Sequence, residues 1–526
     1  MAQRKAVRWL AGIAMAIALA LGMTGAAWAV ESTDTGSVTL GNIEAGAEID
    51  AYHVITVTWD NQGDQPKEPA YVWSTEGGDK SVANWVKAKH SEYIDATANA
   101  VTDKFKDADT KTFYDELSAA IKSGEVVLAP EKTVTVAEGV ETTTVKELAL
   151  GTHLFVIGNS TNYVYQPVAQ NVVPVWNDQP KEWEVKEPTV DIDVKRSPVD
   201  IKKTVEDVKI IGAQYGDAVN YDLNVPVPQY PENAFNKLFY ISDDLSDGLT
   251  LDKGSIKVYG VNGDKETELT AGKDYQLTET DSKGKTVDFG INMNEPYYDL
   301  VKQYESIHVD YNAVVNNKAE ISATGNPNEA KLEFNNNPYD SDGYKTDTDE
   351  TKVFTFGIDI AKFDKDGTTP LNGAEFNLST NEGGSNPMQF VKESDGVYHL
   401  YNAKNDGDAE HGATVAVDAN GKLDIKGLDE GTYYLVETKA PGGYIKPSGA
   451  VKITIESVKD SAGNITGSVV KQSDDKIGYV PQDVLNDKGF NLPTTGGIGT
   501  VGITAVGVAV MAFAAFMLLR TRKNSR

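Results

Sequence analysis

The sequence predicts an all-β chain of tandem immunoglobulin-like β-sandwiches, the first with helical insertions, preceded by a signal peptide and followed by a transmembrane helix. Three observations predict it. Short runs of alternating apolar and polar residues, among them VNYDLNVPVP, SIHVDYNAVV, TYYLVET and AVKITIE, recur between turns rich in Gly, Asn, Asp and Pro. Helical periodicity is confined to the first third, in SVANWVKAKHSEYIDATANAVTDKF and DTKTFYDELSAAIKSG. A chain of 526 residues with 40% hydrophobic content is long enough for three domains, each with its own core.

Composition narrows the function. A net charge of -29 repels phosphate backbones and argues against nucleic acid as a partner, leaving proteins or the cell wall. There is no cysteine, so neither disulfides nor thiolate metal sites hold the domains, and covalent stapling must use other chemistry. The chain has six histidines and carries no HExxH or GxSxG, so hydrolase and metalloenzyme signatures are absent and no metal or cofactor is expected. One GxGxxG match, Gly497-Ile498-Gly499-Thr500-Val501-Gly502, has no strand before it and no dinucleotide domain around it.

The ends place the chain in the secretory route. Arg4, Lys5 and Arg8 precede an apolar run from Leu10 to about Met23 and the small-residue site Ala27-Trp28-Ala29, the layout of a signal peptide over 1–29. At the other end Ile498 to Leu519 is uncharged and long enough to cross a bilayer, and Arg520, Arg522, Lys523 and Arg526 follow it. Immediately before it stands Leu492-Pro493-Thr494-Thr495-Gly496. Motif, apolar helix and basic tail in this order resemble the LPxTG sorting signal of Gram-positive surface proteins. The resemblance implies that a sortase cysteine attacks the Thr495 carbonyl, releases Gly496 onward and passes the acyl group to an amine, anchoring the protein to peptidoglycan.

Composition shifts divide the remainder. KEPTVDIDVKRSP and the acidic NNNPYDSDGYKTDTDET suggest boundaries near 195 and 351. The expected layout is an N-terminal domain at 30–195, a middle domain at 196–350, a last domain at 351–491 and the sorting signal at 492–526. The acidic stretch lacks EF-hand spacing and reads as a solvated linker rather than a calcium site.

The stretch GIDIAKFD raises a question of chemistry. Strand alternation puts Ile358, Ile360 and Lys362 on one face, which places a lysine among core residues. IDIAKFD, PLNGAEFNL, GTYYLVETKAPGGYIKP and DVLNDKG resemble the collagen-adhesin (Cna) B-type domain of Gram-positive pilins, the third matching its E-box, Y-x-L-x-E-T-x-A-P-x-G-Y. The resemblance implies an isopeptide bond between Lys362 and Asn486, assisted by Glu437. Physical chemistry supports it: desolvation lowers a lysine pKa and raises that of a carboxyl group, giving a neutral amine beside a protonated acid. The amine then attacks the Asn486 carbonyl while Glu437 hydrogen-bonds the developing oxyanion and shuttles protons, with ammonia leaving.

A similar set occupies the middle domain. In VDIKKTV the parity of Val199, Ile201 and Val205 selects Lys203 over Lys202, and in KLEFNNNP that of Leu332 and Phe334 selects Asn336, with Asn335 and Asn337 as adjacent alternatives. FYISDDLSDGLTL resembles a family segment V-T-D-x-L-P-x-G-L, with Ser246 in place of proline. That alignment selects Asp243 over Asp244 as the acid, the A-type variant of the chemistry.

A shaft subunit further needs an N-domain lysine to accept the next subunit's Thr495. The pilin motif W-x3-V-x-V-Y-P-K is incomplete. Lys195 in VDIDVKRSP is favoured over Lys181, which keeps only a Pro-Lys pair. The resemblance thus implies a sortase-assembled backbone pilin of a Gram-positive bacterium, secreted, anchored to the cell wall and displayed as a surface pilus that supports adhesion. It is a substrate of sortase and not an enzyme. Its expected partners are sortase, neighbouring pilin subunits, peptidoglycan and a host receptor of unidentified kind; the competing reading is a monomeric wall-anchored adhesin.

Overall fold

The alternating runs become sheet along the whole described length. The computed structural model describes residues 30–489, apart from 60–65, 107, 141, 174, 178–181 and 186–189, together with 506–517. The expected signal peptide, Lys181 and the pentapeptide Leu492 to Gly496 lie outside the described residues.

The first region is organised around the strand Glu48–Trp59, which pairs antiparallel with Gly151–Gly158 on one edge and Pro66–Trp73 on the other. A second sheet sets Thr35–Gly41 between Thr142–Ala149 and, in parallel, Val190–Asp193. The helix Val82–Lys89 begins where Ser81 Oγ accepts the Asn84 N–H. It does not continue to 105 as the periodicity suggests. Asp95 Oδ1 takes the N–H groups of Thr97 and Ala98, and Asn99 turns to a φ of 59°, so the backbone bonds go into a turn instead. The helix Lys111–Lys122 forms as expected and stops at Gly124, whose φ of 76° suits a residue without Cβ. Both helices close over Trp73 and Phe105, the second through its own Phe113 and Leu117.

In the middle region Ser306–Val315 lies between Ala218–Pro226 and Leu249–Asn262, with Ile307, Val309, Tyr311, Ala313 and Val315 all buried. The facing sheet sets Asn326–Phe334 between Phe239–Leu245 and Lys345–Phe354. The acidic stretch read as a linker is therefore partly a strand, and the boundary expected after 350 falls inside it. Its carboxylates have backbone work: Asp347 accepts the Ile201 N–H at 3.0 Å and Asp349 the Lys203 N–H at 2.8 Å. At the other boundary Arg196–Pro198 pairs with Tyr163–Tyr165, so the first region keeps the chain past 195.

The last region packs a sheet containing Phe390–Ser394, Val397–Leu400, Lys422–Leu428, Phe356–Asp364 and Tyr479–Asn486 against one built on Glu375–Ser379, Gly431–Lys439 and Val451–Ile455. Phe354 and Phe356 belong to one continuous core shared with the middle region. Between first and middle regions, buried Asp115 accepts from Tyr339 Oη at 2.7 Å and from both Asn233 donors at 3.0 Å. No helix among the described residues is long and apolar enough to cross a membrane; 506–517 forms an exposed helix.

Strand register sets His53 opposite His153, their rings stacked at 4.6 Å and 9°. His153 Nε2 lies 2.7 Å and His53 Nδ1 3.8 Å from Glu131 Oε2. Parallel imidazole planes do not share one ion in both planes, so the trio reads as packing rather than a metal centre. Burial first, then the neighbouring imidazole, pulls His53 down to about 4. A base whose folded pKa lies below its unfolded value of about 6.5 binds protons better when unfolded. Its contribution is therefore complete above that pH and is lost as pH falls toward 4, by about 3 kcal/mol at most. Calorimetry should show the first region's transition dropping between pH 6.5 and 4 more steeply than in His53→Gln; parallel profiles would contradict this.

Candidate functional site

Two buried lysines sit where the sandwiches close. In the last region Phe356–Asp364 runs parallel to Tyr479–Asn486, with Lys362 level with Val484 and Asp364 level with Asn486. Lys362 Nζ donates to Asn486 Oδ1 at 2.6 Å and to the Val484 carbonyl at 3.0 Å. Glu437 reaches the pair from the facing sheet: its Oε1 accepts from Asn486 Nδ2 at 2.7 Å, and its Oε2 stands 3.9 Å from Nζ. All three side chains are buried, and Glu437 Oε2 has no hydrogen-bond partner. The structure thus brings together the three residues expected here.

Their electrostatics favour a neutral pair. Desolvation lowers the Lys362 pKa, partly offset by Glu437, and desolvation raises that of Glu437 against the opposing effects of Asn486 and Lys362. The amine faces the carbonyl oxygen and the acid faces the amide nitrogen. This differs from the expectation that Glu437 bonds the oxyanion: it is on the leaving-group side, where an acid delivers the proton that converts an amide nitrogen into ammonia.

In the middle region Lys203 is fully buried and its Nζ lies 2.5 Å from Asp243 Oδ2, whereas Lys202 is exposed beside Asp200 and Asp244 pairs with exposed Lys285. Desolvation takes Lys203 down to about 8 and raises Asp243, each shift opposed by the partner's charge. Asn336 does not join them. The strand ends at Phe334, and Asn336 Nδ2 donates to the Ser160 carbonyl at 2.9 Å. Asp243 is level with Ala330, so Asn336 lies six residues on, roughly 20 Å along a strand at about 3.3 Å per residue. Its alternatives fare no better: Asn335 donates to the Asn236 and Asp340 carbonyls, and Asn337 lies in the turn beyond.

The asparagine beside this pair is Asn328. It shares the inward parity of Ala330, Leu332 and Phe334 and is fully buried. Its Nδ2 donates to Tyr311 Oη at 3.0 Å, that hydroxyl donates to Asp243 Oδ1 at 2.9 Å, and Asn328 Oδ1 has no partner. Parity alone admits positions 326, 328 and 336, and the cross-strand register separates them. Tyr311 and Tyr221 wall the site, 5.8 and 5.3 Å from Lys203 Nζ. Lys195 is exposed in the connector between Val190–Asp193 and Arg196–Pro198, its pKa lowered by partial burial and then by Lys111.

Comparison with known proteins accords with this architecture. Residues 215–338 match the family described as Gram-positive pilin backbone subunit 2, Cna-B-like domain, 356–468 the SpaA prealbumin-like fold domain, and 485–526 the LPXTG cell wall anchor motif. The trypsin-resistant surface T6 protein of Streptococcus pyogenes serotype M6 is 28% identical over 380 residues, covering 61% of this chain and 67% of that one. Fimbrial subunit type 2 of Actinomyces naeslundii is 26% identical over 355 residues, covering 63% of this chain and 62% of that protein. The solved T6 backbone pilin, a modular three-domain structure, aligns with a TM-score of 0.58 at 19% identity over 87% of this chain and 99% of that one, a likeness of fold. The fold and the matched domains define a cell-wall-anchored surface pilin of Gram-positive type, a structural protein and not an enzyme. Within that class the chain is a backbone subunit of the pilus shaft, polymerised with other pilins.

A condensation of Lys203 assisted by Asp243 would need one proton shared between them, because both the neutral amine and the neutral acid would be required. The neutral pair and the ion pair carry the same number of protons, so their ratio does not change with pH. Ammonia release on refolding of a denatured, unreacted chain should therefore hold steady up to about pH 8, where Lys203 titrates, and fall about tenfold per unit above it. A rate that climbs through pH 8 would exclude the acid from the reaction.

Proposed function

We propose that this shaft subunit is covalently closed within and between subunits. Inside the chain, Lys362 condenses with Asn486 under Glu437, and Lys203 condenses with Asn328 under Asp243. Between chains, a sortase joins Thr495 of one subunit to Lys195 of the next, and the last subunit is passed to peptidoglycan. The observation that supports the internal bonds most directly is the burial of amine, amide and acid within hydrogen-bond reach in the last region. Holding amine and amide in contact supplies an effective molarity worth on the order of 7 to 11 kcal/mol, which amide exchange in water lacks. Ammonia departs and does not return at cellular concentrations, so folding drives the bond to completion.

Lys195 as the acceptor is supported by its place. The strand before it pairs with the first strand of the chain's first region, and the strand after it leads into the middle region. Lys195 at that junction is a surface residue and lies far along the chain from the donor carbonyl. Head-to-tail joining of donor and acceptor on opposite ends gives an open filament rather than a closed ring.

Intact mass tests the internal bonds. Residues 30–491 should weigh about 34 Da less than the unmodified chain, one ammonia of about 17 Da for each condensation. Lys362→Ala, Glu437→Gln and Asn328→Ala should each restore one ammonia, while Asn336→Ala should restore none; restoration by Asn336→Ala instead of Asn328→Ala would overturn the middle assignment.

Cell-surface extracts test the bond between subunits. Wild-type cells should show a ladder of covalent multimers on denaturing gels, and Lys195→Ala should reduce it to monomer. A ladder that persists would move the acceptor to another lysine, Lys181 first, and an absence of multimers in wild-type cells would favour the wall-anchored adhesin that binds a host ligand through its first region.

A further inference from the structure

The two sites share their reactants but differ in how the acid meets the amide. Glu437 Oε1 receives the Asn486 Nδ2 hydrogen bond directly, at 2.7 Å. Asp243 is one methylene shorter, and a hydroxyl spans the difference: Asp243 Oδ1 accepts from Tyr311 Oη at 2.9 Å, and Tyr311 Oη accepts from Asn328 Nδ2 at 3.0 Å. Asp243 Oδ2 is turned to Lys203 Nζ. We propose that Tyr311 is a catalytic residue of the middle site, its hydroxyl relaying a proton from Asp243 to the departing nitrogen of Asn328. The inference rests on the Lys203–Asn328 reading given above.

The steps balance. Neutral Lys203 Nζ attacks the Asn328 side-chain carbonyl carbon while Asp243 is protonated on Oδ1. As the tetrahedral carbon forms, the amide nitrogen loses its conjugation and becomes basic. Tyr311 gives its hydroxyl proton to that nitrogen and takes the Oδ1 proton of Asp243, while Asp243 Oδ2 accepts a proton from Nζ. The carbon–nitrogen bond to Nδ2 then breaks and ammonia leaves. Tyr311 is again a phenol, Asp243 again a carboxylic acid, and Nζ carries the one hydrogen of a secondary amide.

The site holds Tyr311 for this task. Its ring is fully buried, stacked on Tyr221 at 5.2 Å and 12°, with Phe289 edge-on at 4.9 Å. Its hydroxyl is in hydrogen-bond contact with both the acid and the amide nitrogen, donating to the first and accepting from the second; protonation of Asp243 and loss of amide conjugation reverse both bonds and turn the same contacts into the path from acid to nitrogen. Burial and the Asp243 charge push the phenol far above its ordinary value, so the hydroxyl releases a proton only while it gains one. The last region has no such intermediary and serves as an internal control.

The test follows both ammonia losses, by mass of proteolytic fragments, as residues 30–491 refold from denaturant. With Tyr311→Phe the middle condensation should slow about a hundredfold, the ordinary worth of a positioned proton donor, and lose its solvent deuterium isotope effect. The last region's condensation should keep its wild-type rate in the same molecules. Replacing Tyr311 by 3-fluorotyrosine, which keeps both the shape and the hydroxyl, should restore the middle rate to within a few-fold. An unchanged rate and isotope effect in Tyr311→Phe would overturn the relay while leaving the crosslink intact. Failure of 3-fluorotyrosine to restore the rate would assign Tyr311 to packing alone. A wild-type chain that never loses the middle ammonia would overturn the crosslink reading and the relay together.

Discussion

The structure depends on an amine buried where an amine does not belong. An ammonium group taken out of water into an apolar core costs several kcal/mol, and pairing it with one carboxylate recovers only part of that cost. Lys203 and Lys362 are both fully buried, each on the first strand of its sandwich, and each with a single acid in reach. As ion pairs these sites would be weak evidence for stability. As reactants they have a consistent logic, because the desolvation that penalises the charged forms is what makes the amine nucleophilic and the acid able to donate.

The two sites set out the same kinds of group with different spacing. In the last region the lysine and the asparagine lie on neighbouring parallel strands, two residues apart in register, and the glutamate descends from the opposite sheet. In the middle region the lysine and the acid come from opposite sheets, and the asparagine lies on the strand beside the acid, two residues from the position level with it. The shorter acid and the interposed tyrosine form one arrangement: Tyr311 is paired level with Tyr221, so both rings line the site beside the lysine, and the Tyr311 hydroxyl spans the acid and the amide nitrogen.

This contrast marks what was legible in the sequence. Parity identified Lys362 and separated Lys203 from Lys202, because a period of two leaves only one face for each residue. The contiguous E-box carried Glu437, and the stretch DVLNDKG just before the sorting signal carried Asn486. Asn328 was not legible, since parity is blind to register: positions 326, 328 and 336 look alike until Asp243 is set level with Ala330. Tyr311 was hidden for a different reason, since an inward tyrosine on an alternating strand reads as core. The stretch from 345 to 354 misled because carboxylates that anchor a neighbouring strand's N–H groups carry the same composition as a solvated linker.

The position of each proposed tie would decide how load crosses the shaft. Tension enters the last region along Phe356–Asp364 and leaves along Tyr479–Asn486, adjacent parallel strands that a pull on the ends would shear apart. The proposed bond from Lys362 to Asn486, which are already in hydrogen-bond contact, would span nearly the whole region, so almost nothing beyond it could extend. The proposed bond of the middle region would close earlier, at the strand before its last, and would leave residues 329–354 on the load path outside the covalent loop. That segment is held by noncovalent means: Asn326–Phe334 pairs with Lys345–Phe354 along its length, and Ile210–Gly212 adds a parallel edge. Asp347 and Asp349 fasten the last strand to the N–H groups of Ile201 and of Lys203 itself. With the proposed crosslink in place, the acidic residues that resembled a linker would sit where hydrogen bonds, rather than a covalent bond, carry the force into the next domain.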